Sequence, residues 1–256
     1  MKIQIKDRLY YKFNLLMDII FPIFNIYLYF VIWDAIFRVK DKELSISFPM
    51  TITYYIIISF FSRLDTSEQT ALKISEEIKN GVFSRYLLLP MGVKSYYFSL
   101  CISNMMVNFF LCIPALLVWI LIFAKYFLLP EHFYNIVVFS PLLLLGLIWL
   151  MQSNLSIMLI SFWLEEVYAF FHIKRVLFSF LLGEIIPILL FPLEFQNILK
   201  HLPFYYIYNI SIEIYFGNRS VNLNDYVIII IWNIFFYLLN SHIYRLAIKK
   251  YSGVGI

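Results

Sequence analysis

The chain has 256 residues, of which 62% are hydrophobic and 14% are charged, with a formal net charge of +4. Its mean hydropathy of +0.80 is far above that of water-soluble domains, which could not bury so much apolar surface. The composition therefore excludes a soluble globular protein and predicts a helical membrane protein.

Residues 1–13 contain a helical stripe formed by Ile5, Leu9, Tyr10 and Phe13. This pattern is typical of an amphipathic helix that lies at the cytoplasmic surface of a membrane. A basic start followed by an apolar run also resembles a signal peptide, but the run is too long and lacks a small-residue cleavage site. We therefore expect the first span to be retained.

Six apolar stretches are long enough, at roughly 20 residues each, to cross a hydrocarbon layer of ~30 Å. They lie at residues 14–37, 48–64, 97–124, 134–161, 171–190 and 226–246. The second stretch is the shortest. No internal repeat or second domain boundary is evident, so the whole chain is predicted to form one all-α, polytopic membrane domain of residues 1–256.

The basic residues indicate the orientation of these spans, because loops rich in Lys and Arg stay in the cytoplasm. With both termini cytoplasmic, fourteen of the 20 Lys and Arg residues fall inside. The others fall outside, namely Arg38, Lys40, Lys42, Lys125, Lys200 and Arg219. The positive charge follows from this topology and requires no nucleic-acid partner.

Residues 73–96 form a charged segment between two apolar stretches on the predicted cytoplasmic side. Thr66 or Ser67 can cap a helix that Gly81 ends. An apolar stripe runs beside the charged face and consists of Leu72, Ile74, Ile78 and Val82. An amphipathic helix in this position suits contact with a soluble partner that transmits force.

Residues 183–217 stay apolar although Pro187, Pro192 and Pro203 interrupt them. The pattern predicts short helices that enter and leave the outer leaflet, with their broken backbone buried against protein. Glu184 lies in this apolar stretch, and an ionisable group at membrane depth is a candidate proton site or cargo contact. Alternatively, its carboxylate pairs with amides freed near Pro187 or reaches the outer interface.

Motifs for chemistry are missing from the sequence. None of the seven glycines belongs to a GxxxxGK[ST] phosphate-binding loop, and the four histidines show no metal-ligand spacing. No GxSxG motif or ordered triad is present. Cys101 and Cys112 lie about 16 Å apart along one helix, too far for a disulfide within it. The sequence predicts no catalytic, cofactor-binding or metal site in this chain.

Three separated blocks resemble the ABC-2 type permeases, which are membrane subunits of bacterial ABC exporters. The first block runs from Ile74 to Gly81 and continues as Tyr86-Leu-Leu-Leu-Pro90, with Leu89 where the family usually has arginine and Arg85 nearby. The second comprises Gly183, Pro187 and Pro192, then Leu202-Pro-Phe204 and Ile214-Tyr-Phe-Gly217, and is similar to the family's outer re-entrant region. The third, Lys249-Lys-Tyr-Ser-Gly-Val-Gly255, is similar to the basic ending of this branch.

The resemblance implies a six-span permease of the bacterial cytoplasmic membrane, with both termini inside. Two permease subunits, identical or related, are expected to pack together among lipids. Each would rest its cytoplasmic helix on an ABC ATPase subunit that binds ATP and Mg²⁺. The implied coupling residues are Ile74, Ser75, Glu77, Ile78, Gly81, Arg85 and Tyr86. The implied outer-gate or cargo residues are Glu184, Pro187, Pro192 and Phe204.

The leading hypothesis is therefore a permease that exports an amphiphile, such as a peptide antibiotic, a drug-like molecule or a lipid-linked compound. The 27 Phe, 20 Tyr and 5 Trp residues supply aromatic surface for such cargo, although aromatic side chains also serve membrane interfaces and helix packing. Two alternatives remain open. One is a proton-coupled carrier that relies on Glu184, and the other is a membrane enzyme or immunity protein that acts without an ATPase.

Overall fold

The structure is a computed structural model that describes residues 12–40, 46–88, 90, 92–130, 132–164 and 166–251. Regular structure in these ranges is entirely helical, which confirms the all-α prediction. The predicted surface helix at residues 1–13 lies outside the described residues, apart from its last two. Leu89 and the end of the C-terminal block also lie outside them.

Ten α-helices occupy the described part of the chain. In chain order they are α1 (Lys12–Lys40), α2 (Phe48–Ser62), α3 (Ser67–Lys79), α4 (Ser84–Leu87), α5 (Val93–Ile122), α6 (Tyr134–Ile160), α7 (Tyr168–Leu181), α8 (Leu193–Leu199), α9 (Asn209–Tyr215) and α10 (Leu223–Lys250). Two 3₁₀ turns, Ile188–Leu190 and Pro203–Tyr206, interrupt the stretch between α7 and α9.

Four helices in the described residues are long and apolar enough to cross a membrane: the Ile20–Val39 part of α1, and α5, α6 and α10. This confirms a multi-pass membrane protein. Helices α2 and α7 occupy the positions of the second and fifth predicted spans. Their 15 and 14 residues extend only about 22 and 21 Å, less than the ~30 Å of hydrocarbon. The count of six spans therefore stays a prediction.

Helix α2 lies at the centre of the bundle, with ten buried residues, and it packs against α1 and α5. A helix that is apolar on all sides is stable only when other elements surround it. Its start is well defined, because the Ser47 side chain accepts a hydrogen bond from the Met50 amide and Pro49 occupies the first turn. The ring of Tyr55 stacks on Tyr29 of α1, with centroids 3.9 Å apart.

Helices α6 and α10 are joined by an amide ladder, defined here as Gln152, Ser156, Asn233 and Asn240. Gln152 Nε2 donates to Asn233 Oδ1 at 2.8 Å, and Asn240 Nδ2 donates to the Gln152 carbonyl at 2.9 Å. Ser156 Oγ donates to Asn240 Oδ1 at 2.8 Å. In an apolar solvent such interhelical hydrogen bonds add to close packing and orient the two helices.

Residues 182–217 are called the outer segment here, after their predicted position. They pack along α6, beside the short helices α2 and α7. Asn135 Nδ2 donates to the Ile214 carbonyl at 2.9 Å, and the Trp149 ring lies 5.2 Å from that of Phe204. These contacts span about 21 Å of the α6 axis. Between them, Gly146 lets the backbones approach closely, since a Cβ there would lie 2.9 Å from Ile207 Cα.

We predict that Gly146→Ala destabilises the folded protein by about 1–3 kcal/mol, because the added methyl group must displace the Ile207 backbone. The measurement is the thermal unfolding midpoint of the purified protein in detergent. Gly92→Ser is the matched control: a Cβ at Gly92 meets no atom within 4 Å, and serine suits the N-cap of α5. Equal midpoints for both variants would contradict the close approach.

Candidate functional site

Helix α3 has one buried and one exposed face. Ala71, Ile74 and Ile78 are buried against α5 and α6, where they form one cluster with Tyr97 and Met158. Apolar residues recurring at this spacing bind a helix to its neighbours by burial of one face. The predicted coupling residues Ile74 and Ile78 thus attach α3 to the membrane helices, and they do not form its exposed surface.

The other predicted coupling residues of α3 are divided between its core face and its end. Ser75 is buried, and its hydroxyl donates to the Ala71 carbonyl at 2.9 Å. Gly81 has a φ of +72°, which an L side chain rarely adopts. Its amide bonds to the Ile78 carbonyl and the next amide, of Val82, bonds to the Glu77 carbonyl, so that α3 ends in a Schellman motif.

Glu77, Arg85 and Tyr86 join the end of α3 to the short helix α4. The Glu77 carboxylate pairs with the Arg85 guanidinium and accepts a hydrogen bond from the Tyr86 hydroxyl. Burial, and then the hydrogen bond with Glu77, raises the pKa of Tyr86 to about 12, so the phenol stays protonated at neutral pH. Hydrogen bonds with Tyr86 and Glu77 raise the pKa of Arg85. The turn is thereby held in one conformation.

The exposed surface of the α3–α4 hairpin is what a soluble partner can touch. Its exposed residues are Gln69, Lys73, Glu76, Lys79, Asn80, Val82, Ser84, Arg85 and Leu88. Lys79 Nζ also lies 2.7 Å from Glu166 Oε1, in the connection between α6 and α7. Both of these side chains are largely exposed, so this ion pair contributes at most about 1 kcal/mol.

The start of α3 is held by Asp65, and the predicted caps Thr66 and Ser67 provide no side-chain cap hydrogen bond. The Asp65 carboxylate accepts hydrogen bonds from the Ser67 amide, at 2.9 Å, and from the Ser67 hydroxyl. An Asp side chain that bonds two residues ahead forms an Asx turn, which competes with the Ser or Thr cap. Thr66 is therefore the N-cap residue, as one of the two predicted alternatives, but Asp65 and not the Thr66 side chain supplies the hydrogen bond at the start of the helix.

A polar network then connects α3 to α6 and α7. Asn154 of α6 donates to Ser67 Oγ at 2.7 Å and accepts from Lys174 Nζ of α7 at 2.6 Å. Lys174 Nζ lies 3.6 Å from Glu68 Oε2, and Arg175 Nε donates to Glu68 Oε1 at 2.8 Å. Glu68 of α3 therefore pairs with two consecutive cations of α7.

Helix α7 ends at a turn that requires glycine. Gly183 has a φ of +79°, and its amide and that of Glu184 bond to the Phe180 and Ser179 carbonyls. A Cβ at Gly183 would also lie 2.4 Å from the Tyr54 hydroxyl. Both the backbone conformation and the lack of space exclude a larger residue here.

The carbonyls that follow α7 are each bound by a side chain from another element. Asn209 Nδ2 donates to Leu182 O at 2.8 Å, Tyr54 Oη donates to Gly183 O at 2.8 Å, Tyr29 Oη donates to Glu184 O at 3.2 Å, and Tyr55 Oη donates to Ile185 O at 2.9 Å. Carbonyls of a turn that follows a helix have no partner in the helical ladder, and an apolar interior offers no water to bind them. These four donors satisfy them.

A cavity of about 340 Å³ lies between α2, α3, α6 and α7. Its polar lining includes Asp65, Glu68 and Lys174 together with Glu184 and Tyr208. Leu150, Phe178 and Leu182 add apolar wall. The cavity therefore places Glu184 in the same space as the charged residues at the base of α3.

The comparisons with known proteins give one match. The family model described as ABC-2 family transporter protein matches residues 19–255. The chain belongs to the ABC-2 transporter family. The resemblance found in the sequence is thereby confirmed, and the protein is a membrane permease of an ABC transporter. No curated protein and no solved structure matches the chain.

The predicted outer-gate residues of this ABC-2 permease lie in different surroundings. Glu184 lines the cavity, whereas Pro187 is buried at the start of a 3₁₀ turn and Pro192 is exposed before α8. Phe204 packs edge-on against Trp149 and Phe178, in an aromatic cluster between α6 and α7. Of the four residues, only Glu184 faces the cavity, so the assignment of the set to a gate stays a prediction.

The polar residues of α6 were not predicted, although they carried a local signal. Gln152, Ser153, Asn154 and Ser156 stand together within a long apolar stretch, and polar side chains in spans usually bind a neighbouring helix. Their partners had no local signal, because Ser67 lies 87 residues from Asn154 and Asn233 lies 81 residues from Gln152.

We predict that Glu68→Gln lowers the free energy of unfolding by about 2 kcal/mol, because it leaves Lys174 and Arg175 without their shared carboxylate. The exposure of Arg175 keeps the loss below that of a fully buried pair. The measurement is the free energy of unfolding of the purified permease in detergent. Glu76→Gln, an exposed position on the same helix, is the control and should leave stability unchanged. A similar loss in both variants would argue against the network.

Proposed function

We propose that this ABC-2 permease is the membrane subunit of an ATP-driven exporter, which moves an amphiphilic cargo out of a bacterial cell with a separate ABC ATPase. The family supports association with an ABC ATPase, and the sequence lacks a phosphate-binding loop of its own. ATP and Mg²⁺ would bind in that partner. A second permease copy, identical or related, would complete the transport unit.

The observation that carries this proposal is the double attachment of α3. Its apolar face packs on α5 and α6, and Glu68 at its base pairs with Lys174 and Arg175 of α7. A partner that pushed the exposed face of α3 would therefore displace α7 together with it. Because α7 and α3 both line the cavity, this movement would change the cavity's shape. In this proposal, force applied to α3 reaches the cavity through its ion pairs with α7.

The proposed topology has six spans, with both termini in the cytoplasm of a bacterial cell and the chain crossing its inner membrane. The excess of Lys and Arg on the inner segments supports the orientation. Helices α2 and α7 are each shorter than the hydrocarbon layer, so the residues that follow each helix would complete its crossing of the membrane. The outer segment would enter and leave from the outside, which its proximity to Asn135 at the start of α6 supports.

We predict that Glu77→Lys uncouples ATP hydrolysis from transport. The change breaks the contacts of Glu77 with Arg85 and Tyr86, and so loosens the hairpin that would receive force from the ATPase. The measurement is the ATPase activity of the co-purified transporter reconstituted in lipid vesicles. Stimulation of hydrolysis by the permease should fall about tenfold or more, because the loosened hairpin presents its contact surface to the ATPase only part of the time.

Glu194→Lys is the control for this prediction, because it makes the same charge change on an exposed residue of the predicted outer face. It should leave both membrane insertion and ATPase stimulation as in the native permease. The proposal fails if no ATPase co-purifies with the native chain, or if Glu77→Lys binds and stimulates the ATPase normally.

We predict that the outer segment is reached from outside the cell. Cysteines at Glu194 and at Asn218, both exposed, should react with a membrane-impermeant maleimide in intact cells. A cysteine at Glu76 should react only after permeabilisation. The native Cys101 and Cys112 are buried and give a low background. The opposite labelling pattern at either outer position would refute the proposed topology.

A further inference from the structure

The cavity beside α7 contains more carboxylates than cations. Asp65, Glu68 and Glu184 line it together with Lys174 and Arg175, which leaves one negative charge in excess when all five groups are ionised. Its volume of about 340 Å³ falls at the lower end of the 300–1,000 Å³ typical of small-molecule sites. A space of this size would admit a small organic molecule.

The two cations are already engaged at the α3 end of the cavity. Lys174 Nζ is held by Asn154 Oδ1 at 2.6 Å and faces Glu68, while Arg175 pairs with Glu68. Asp65 is similarly occupied, because its carboxylate accepts two hydrogen bonds from Ser67. These groups satisfy one another without any contribution from a ligand.

Glu184 is the exception. Its backbone carbonyl accepts a hydrogen bond from Tyr29, but its carboxylate has no hydrogen-bond or ion-pair partner among the described residues. A partly buried carboxylate without a bonded partner is costly, and such groups at membrane depth usually meet a substrate or an ion. The turn at Gly183 fixes the backbone of Glu184, so the carboxylate is held at the cavity wall.

The surroundings of Glu184 favour an organic cation with an apolar body. Phe178, Leu182 and Tyr208 form the adjacent wall, and aromatic rings also attract cations through their faces. A metal ion would need several ligands, and the described residues contain no group of three or more His, Cys, Asp or Glu side chains placed to hold one. An ammonium or amidinium group needs only one carboxylate.

We infer that this cavity binds the cationic head of an amphiphilic cargo, with Glu184 as the carboxylate that receives it and the aromatic and aliphatic wall covering the apolar body. This inference rests on the proposed export function and specifies its cargo class. The excess charge disfavours anionic amphiphiles, which would leave Glu184 unpaired and add a like charge to the cavity.

The test is direct binding to the full-length permease in nanodiscs of zwitterionic lipid, without nucleotide. The probes are naphthylmethylamine, which is a cation at pH 7, naphthylmethanol, which is neutral, and naphthoate, which is an anion. They share one aromatic body and differ in charge. We expect the amine to bind at least about tenfold more tightly than the alcohol, and the naphthoate to bind most weakly. Nanodiscs without protein serve as the control, because they measure how much of each probe partitions into the lipid.

Glu184→Gln should remove the preference for the amine, which then binds no more tightly than the alcohol, while binding of the alcohol stays unchanged. Glu194→Gln, which neutralises an exposed carboxylate outside the cavity, is the matched control and should retain the preference. Thermal unfolding of each variant verifies that it is folded. Leu182→Ala provides a second test. It removes apolar surface from the cavity wall, so the amine and the alcohol should both bind more weakly.

The outcomes separate this inference from the export proposal. Selective binding of the amine that depends on Glu184, in a permease that recruits no ATPase, would support the cation site and overturn the exporter. Equal binding of amine and alcohol, or a preference that survives Glu184→Gln, would overturn the cation site. If the same permease still stimulates its ATPase, the exporter stands with a different cargo class.

Discussion

The fold depends on the binding of four consecutive carbonyls where α7 ends inside the protein. The turn that follows a helix in an apolar environment exposes carbonyls that have no helical partner, and each one left unpaired would cost several kcal/mol. Hydroxyls of α1 and α2 and the amide of Asn209 bind these carbonyls. Elements far apart in sequence thus converge on one turn, and Gly183 makes that turn possible by accepting a positive φ without a side chain.

The same turn gives the cavity its composition. Because the backbone after Gly183 is held from three sides, Glu184 stays at the wall of a space that α3 also lines. Helix α3 meets this space through Glu68 and the Asx turn of Asp65, while its other face remains available to a partner. Helix α3 and the candidate cation site are therefore separated only by the ion pairs that Glu68 makes with Lys174 and Arg175.

The sequence predicted much of the architecture and little of the site. The helical membrane class, four of the six predicted spans, the amphipathic α3 and its end at Gly81 followed from composition, apolar run length and glycine placement. The cavity did not, because Glu68 and Arg175 are 107 residues apart and no local pattern relates them. The burial of Ile74 and Ile78 shows a related limit: an apolar stripe predicts a contact face but cannot say whether a soluble partner or the protein's own helices cover it.

The amide ladder between α6 and α10 restricts how the permease can move. Asn233 and Asn240 lie two helical turns apart on one face, and both bond to Gln152. Sliding one helix past the other by a turn would break these bonds together and leave amides facing hydrocarbon. A tilt of the pair as one body keeps these bonds, whereas a change of register costs all of them. Under the proposed transport function, access to the cavity would therefore alternate through displacement of α2 and α7 against this pair, and not through a piston motion of α6 or α10.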